Sequence, residues 1–368
     1  MKLAALARPF VALAVAAALI SVILLTLGAS PISVFKALYD GAFGNWVVFT
    51  DTLAKSIPLL FCGLAIAVAF EGALWNIGAN GQLLAGAMSA GALGPRLRGW
   101  PHAFATPALL IAGASGGASW GGIAGWLRAR RDVNEVIATI MLNFVAAQIL
   151  SWLVHGPLIE ASRAYPMSAP IAPAAELRFY YPPSRLNLGM LLAVALAFVC
   201  QAFLYHTEKG FELRAMGRNR HAAAFFGINT GSLTVWVMAL SGALAGLGGA
   251  THVAAITHRL YETLSPGWGY EAIAVALIAR LNPLAIVPSS VLFGALDNGA
   301  QAMQRTQGVS PVLVQVIEGL VIMILLAFDT SAWSAFRDAL WTSRPPENRD
   351  TDSIPSGGER SISVAHHR

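Results

Sequence analysis

Residues 75–94 read WNIGANGQLLAGAMSAGALG, and their reading decides what kind of protein this is. They set Asn76, Asn80 and Gln82 among glycines, directly after a fully apolar run. Amides are costly in hydrocarbon, and irregular backbone survives at membrane depth only where protein or a water-filled cavity satisfies its polar groups. Two readings stand: a Gly-rich loop at the membrane surface, or a broken intramembrane segment whose amides face a pathway.

The rest of the chain supports a membrane setting. Mean hydropathy is +0.61, and only 12% of residues are charged, against about 25% in an ordinary soluble domain. This composition predicts an all-α integral membrane protein. The 368 residues hold roughly ten spans of about 20 residues with short connections, which leaves no room for a soluble catalytic domain. A net charge of +5 does not point to nucleic acid, because the basic residues fall between apolar runs and form no stripe interleaved with aromatics. Cys62 and Cys200 both lie in apolar runs, so neither a disulfide framework nor a metal site is indicated.

Hydropathy places candidate spans at 10–27, 57–70, 83–93, 105–127, 135–154, 188–205, 233–255, 271–278, 284–303 and 312–328. The first is longer than a signal-peptide core of about 7–15 residues and reads as a retained helix with a cytoplasmic N-terminus. Ten crossings put Arg128, Arg130, Arg131, Lys209, Arg214, Arg218 and Arg220 in the cytoplasm and the Pro-rich loop 156–183 outside. Lys36, Lys55, Arg96, Arg98, His258 and Arg259 then fall on the outer side. Residues 1–343 form the transmembrane domain in this reading, and 344–368, rich in Pro, Ser, Gly and charge, form a disordered cytoplasmic tail. Gly113, Gly117, Gly121 and Gly125 recur every four residues, as do Gly242, Gly246 and Ala250, and predict close helix contact. Glu135-Val136-Ile137-Ala138 and Glu271-Ala272-Ile273-Ala274 each open a span. They suggest an inverted five-plus-five repeat.

The run N-I-G-A-x-G-Q-L-L-x-G-A, here Asn76 to Ala87, resembles the signature of permease subunits of ABC importers for nucleosides and simple sugars, relatives of the branched-chain amino acid permeases. Asn80 stands where many relatives carry a glutamate. The resemblance extends from about Glu71 to Gln304, with recognisable blocks at 134–143 and 267–304. It implies ten helices around a central pathway, in a multi-pass protein of the bacterial plasma (inner) membrane with both termini cytoplasmic. It also implies partners: an ABC ATPase, a second permease subunit of the same or a different kind, an extracytoplasmic solute-binding protein and the surrounding membrane lipid. A second pattern, Gly217, Asn219, Ala222, Ala223, Gly227 and Ile228, is similar to the coupling loop by which such permeases dock on their ATPase. The bland account of that loop is that any cytoplasmic connection is basic.

No G-x-x-x-x-G-K-[ST] loop surrounds any of the four lysines, Lys2, Lys36, Lys55 and Lys209. The chain therefore reads as no enzyme and as binding no cofactor, with ATP and Mg expected on the partner ATPase. Asn76, Asn80, Gln82, Asn143, Asn298 and Gln301 offer donors and acceptors without fixed charge, which suits a neutral, hydroxyl-rich solute, and Asp297 is the deepest acid. These seven are the candidate pathway residues, although each amide also reads as a helix–helix hydrogen-bonding partner. The function expected is a permease subunit of an ATP-driven importer of nucleosides or related sugars. Two alternatives stay open: an ABC permease for branched-chain amino acids or purine bases, and a proton-coupled carrier using Asp297.

Overall fold

Backbone that must satisfy its own hydrogen bonds in an apolar medium coils into helices, and every named element among the described residues is helical. The computed structural model describes residues 2–26, 30–180 and 183–308, with 316, 319–320 and 323–324. All of them belong to one unit, residues 1–329. The expected tail and domain boundary at 343/344 lie outside the described residues, as does most of the expected span 312–328.

The helices are α1 (Lys2–Thr26), α2 (Pro31–Phe43), α3 (Trp46–Glu71), α4 (Ala79–Leu93), α5 (His102–Arg131), α6 (Glu135–His155), α7 (Leu188–His206), α8 (Glu208–Arg218), α9 (Arg220–Phe225), α10 (Thr230–His252), α11 (Trp268–Ile278) and α12 (Pro283–Gln307). Asparagines start many of them. Asn45, Asn134, Asn187, Asn229 and Asn282 each accept a main-chain N–H in the first turn of α3, α6, α7, α10 and α12, which satisfies a donor the helix cannot pair internally.

By length and composition, four helical segments are fit to cross a membrane: Trp46–Glu71, Glu135–His155, Leu188–His206 and Thr230–Thr257. Ala14–Thr26 and α11 are apolar but shorter. Two expected boundaries are corrected. α3 begins at Trp46 and not near Ile57, because the polar residues of its first turns are accommodated in the helix: Thr50 and Ser56 donate to Val47 and Leu53 carbonyls, and Thr52 donates across to Ala42 O. Residues 31–43, assigned to no span, form α2, whose buried Val34 and Ala37 pack with Ala300 and Met303 of α12.

α3 is the axis of the core, buried continuously from Ser56 to Ala69. It packs against α10, α11 and α12, while α10 packs against α3, α4 and α5. The close approach of α5 to α10 is set by small residues. A Cβ on Gly117 would lie 2.1 Å from Gly242 O, and one on Gly121 would lie 2.2 Å from Met238 O. The glycine series on the two helices thus meet one another.

α3 and α10 run in opposite directions. The C-terminal end of α3, at Gly72, abuts Leu213 and Met216 of α8, and Thr234, near the start of α10, donates to the Met216 sulfur. The last turns of α5 lie at this end as well, Gly125 beside Val235 and Thr234.

Candidate functional site

Between α3 and α4 the chain breaks, and the amides of the opening motif stitch the break. Asn76 is fully buried. Its Nδ2 donates to Gln82 Oε1 (2.9 Å) and to Ser241 Oγ (2.8 Å), and its Oδ1 accepts from Gln82 Nε2 (3.0 Å) and from Gly78 N (3.0 Å). Ser241 in turn donates to Ala65 O at 2.6 Å, so one chain of bonds ties α3, the break, α4 and α10 together. Asn143 on α6 accepts from Gly81 N (2.7 Å) and donates to Ile77 O (2.8 Å) and Tyr270 Oη (3.1 Å). Buried polar groups need partners, and these amides find them within the protein.

Asn80 faces the start of α11. Its Oδ1 accepts from Ser265 Oγ at 2.8 Å, and a Cβ on Gly269 would fall 2.1 Å from Asn80 N. The N-terminal ends of the short helices α4 and α11 therefore abut. Three successive residues of α11 serve three contacts: Gly269 meets Asn80, Tyr270 meets Asn143, and Trp268 lines a cavity.

That cavity, about 220 Å³, lies between the first half of α3, the end of α10, the start of α11 and α12. Asp51, Lys55, His252, Trp268, Asn298 and Gln301 line it, with Arg185 and Arg305 contributing charge. Two backbone irregularities border it. Pro58 sits inside α3 and cannot donate to Ala54 O, and both residues line the wall. Where α10 ends, Val253–Thr257 form a π-turn, a feature common at functional sites. Ile256 of that turn also lines the cavity.

The polar wall is organised. Lys55 Nζ lies 3.2 Å from Asp297 Oδ2, and Gln301 Nε2 donates to Asp297 Oδ1 at 3.1 Å. Asn298 Nδ2 donates to Thr52 Oγ1 (3.0 Å) and Val48 O (3.2 Å). The His252 ring stands edge-on to Trp268, centroids 4.6 Å apart. Asp51 Oδ1 is buried without a partner among the described residues. Chemically the cavity offers an aromatic face, amides and charges of both signs, which can hold a polar ring solute.

The seven pathway candidates thus fall into two groups. Asn298, Gln301 and Asp297 are at or beside the cavity, whereas Asn76, Asn80, Gln82 and Asn143 line no part of it. Asp51, Lys55, His252 and Trp268 are new. A signal for two of them exists in the sequence: Asp51 and Lys55, four apart and so on one helical face, immediately precede the apolar run of α3.

At the α8–α9 end, the second motif makes a two-helix element. Gly217 seats α8 on α3, where a Cβ would lie 2.1 Å from Glu71 O, and Asn219 caps α9 by accepting from Ala222 N at 2.9 Å. Ala223 is buried and Ala222 exposed. Gly227 turns the chain at φ +87°, with open space where a side chain would go. Phe225 and Phe226 stand out in the same loop, 87% and 81% exposed. A groove of about 550 Å³ runs beside them, lined by Phe211, Arg214, Ala222, Ala223, Phe226 and Ile228. Among the described residues no three His, Cys, Asp or Glu are grouped to hold a metal ion.

Residues 48–326 match the family described as the permease component of the branched-chain amino acid transport system. A glucose ABC transporter permease protein of Haloferax volcanii is 31% identical over 86% of this chain and 86% of its own length. A guanosine ABC transporter permease protein of Bacillus subtilis is 32% identical over 88% of this chain and 94% of its own. A second guanosine permease protein of that Bacillus is 23% identical over 67% of this chain and 80% of its own. No solved structure matches the chain.

Proposed function

The chain belongs to the permease-component family of the branched-chain amino acid transport system, and from that premise we propose that it is the membrane-spanning subunit of an ATP-driven importer of nucleosides or related simple sugars. The observation that carries the solute class is the cavity at Trp268. At about 220 Å³ it is smaller than the roughly 300–1,000 Å³ of sites for drug-sized ligands, and it pairs an aromatic face with amides. The relatives named for guanosine and glucose agree with a polar ring solute.

In this reading Asp297, Asn298 and Gln301 belong to the solute pathway, joined by Asp51, Lys55, His252 and Trp268. Asn80 and Asn143 act on the pathway from behind, by positioning the start of α11, whereas Asn76 and Gln82 tie the break to α4 and α10. The α8–α9 end is cytoplasmic, since Arg128, Arg130, Arg131, Lys209, Arg214, Arg218 and Arg220 gather near it. The cavity then lies in the outer half of the bundle. Gly217, Asn219, Ala222, Ala223, Gly227 and Ile228 build the element that enters the ATPase, and exposed Phe225 and Phe226 are its apolar anchors. ATP and Mg are bound by that partner, and an extracytoplasmic binding protein delivers the solute.

Helix pairing supports an inverted repeat. α3, α4 and α5 on one side and α10, α11 and α12 on the other follow one plan: a long helix, a break, a short helix and a further helix. Each long helix packs on the last two helices of the other set, and the long helices are antiparallel. The full ten-helix, five-plus-five arrangement is the extension of that plan. We take the second permease subunit to be a different protein, a reading supported by two guanosine permease proteins of one organism that both resemble this chain.

The test is reconstitution in proteoliposomes with the ATPase and binding protein, measuring uptake of radiolabelled guanosine and glucose. ATP-dependent uptake of one of them is expected. Accumulation by this chain alone, under a proton gradient without ATP, would overturn the reading in favour of a proton-coupled carrier.

A further inference from the structure

The last turn of α5 and the start of α9 enclose an open cavity of about 790 Å³, lined by Arg128, Arg130, Arg131, Asp132, Arg220 and His221. Part of its charge is neutralised internally: Arg128 lies 2.7 Å from Asp132 Oδ1 and 3.2 Å from Glu135 Oε2. Arg130, Arg131 and Arg220 have no ion pair with any described residue. Three guanidinium groups from two separate elements therefore face one space, with His221 beside them.

The depth of the cavity identifies its surroundings. Ile123, Trp126 and Arg130 are spaced i, i+3, i+7 and share one face of α5, and Ile123 and Trp126 are both exposed. On a bundle in a membrane that face meets lipid, and tryptophan settles at the headgroup level. Arg130 emerges about 6 Å further along the helix, in the layer of lipid phosphates. The groove beside Phe226 shares no lining residue with this cavity, so the two surfaces are separate.

We propose that this cavity binds the phosphate of an anionic phospholipid headgroup. Guanidinium forks match phosphate oxygens, and a basic pocket between helices at this level is the form that headgroup recognition takes. The bound lipid bridges α5 to α9 and so ties the coupling element to the membrane plane. The proposal rests on the reading of this chain as a membrane permease, but not on its solute or its ATPase.

The experiment is native mass spectrometry of the full purified chain in detergent, titrated with cardiolipin, phosphatidylglycerol or phosphatidylcholine. Retention of the two anionic lipids and not of phosphatidylcholine is expected. Arg130→Gln, Arg131→Gln and Arg220→Gln each weaken it about fivefold, while Lys209→Gln, outside the cavity, leaves it unchanged. Arg130 and Arg131 are exposed, so those variants keep their fold, which circular dichroism checks. Equal retention by wild type and variants overturns the proposal. So does full displacement of phosphatidylglycerol by inorganic phosphate, which marks a free-phosphate site. Loss of ATPase co-purification by variants whose lipid retention is unchanged also overturns it and assigns the arginines to a protein contact. Retention is read without the ATPase, so a failure of the transport reading leaves this result standing.

Discussion

Replacing Gln82 by leucine tests whether the opening motif acts through structure or through solute. In the fold, Gln82 exchanges two reciprocal hydrogen bonds with Asn76, at 2.9 and 3.0 Å, and both residues are buried. Interhelical hydrogen bonds in membrane proteins contribute about 0.6 kcal/mol on average and about 1.7 at most, so losing two costs about 1–3 kcal/mol. Asn76→Leu removes the same two bonds and those to Ser241 and Gly78, and it costs more. The double variant costs less than the sum of the singles, because the two shared bonds are counted twice, and the coupling is about 1–3 kcal/mol. The assay is unfolding of the purified chain in mixed micelles, read as a double-mutant cycle, alongside KM for uptake. Stability falls while KM of the folded fraction stays near wild type, since neither amide lines the cavity. Additive effects, or a raised KM with unchanged stability, would refute the reasoning and return Gln82 to the solute pathway.

Trp268→Ala removes the aromatic wall of the cavity and raises KM for uptake about 3–10-fold, from the roughly 0.5–1.5 kcal/mol of a good ring contact; Trp75→Ala, outside the cavity, serves as the control and leaves KM unchanged. Phe226→Asp abolishes ATPase co-purification, because a largely exposed apolar anchor that becomes buried in a partner is worth about 2 kcal/mol or more; unchanged co-purification would place docking elsewhere. Ala223→Glu is the contrasting case: Ala223 is buried within the α8–α9 element, so it lowers the stability of the chain itself in a melting experiment. Gly117→Leu drives a side chain into the Gly242 carbonyl, 2.1 Å from the first added atom. It prevents α5 from packing on α10, read as loss of monodisperse protein in size-exclusion chromatography.

Composition and pattern were enough to predict a helical membrane chain and its glycine seam, because each depends on local properties. Apolar runs force helices, and small residues at a spacing of four mark a close face. Residues 46–56 were misread because hydropathy sees Thr50, Asp51, Thr52, Lys55 and Ser56 as the end of a span. Only packing shows that Thr52 meets Ala42 and Asn298 while Lys55 meets Asp297. The amides divide for the same reason. Asn76 and Asn298 are alike as residues, and what separates a structural tie from a cavity wall is which helices the fold brings beside each: α4 and α10 against Asn76, α3 against Asn298. The cavity itself gathers Asp51 of α3 with His252, Trp268 and Asn298 of α10, α11 and α12, about 200 residues further along the chain. No spacing rule joins such positions, because their proximity is a property of the antiparallel α3–α10 pair and the short helix α11 packed beside it.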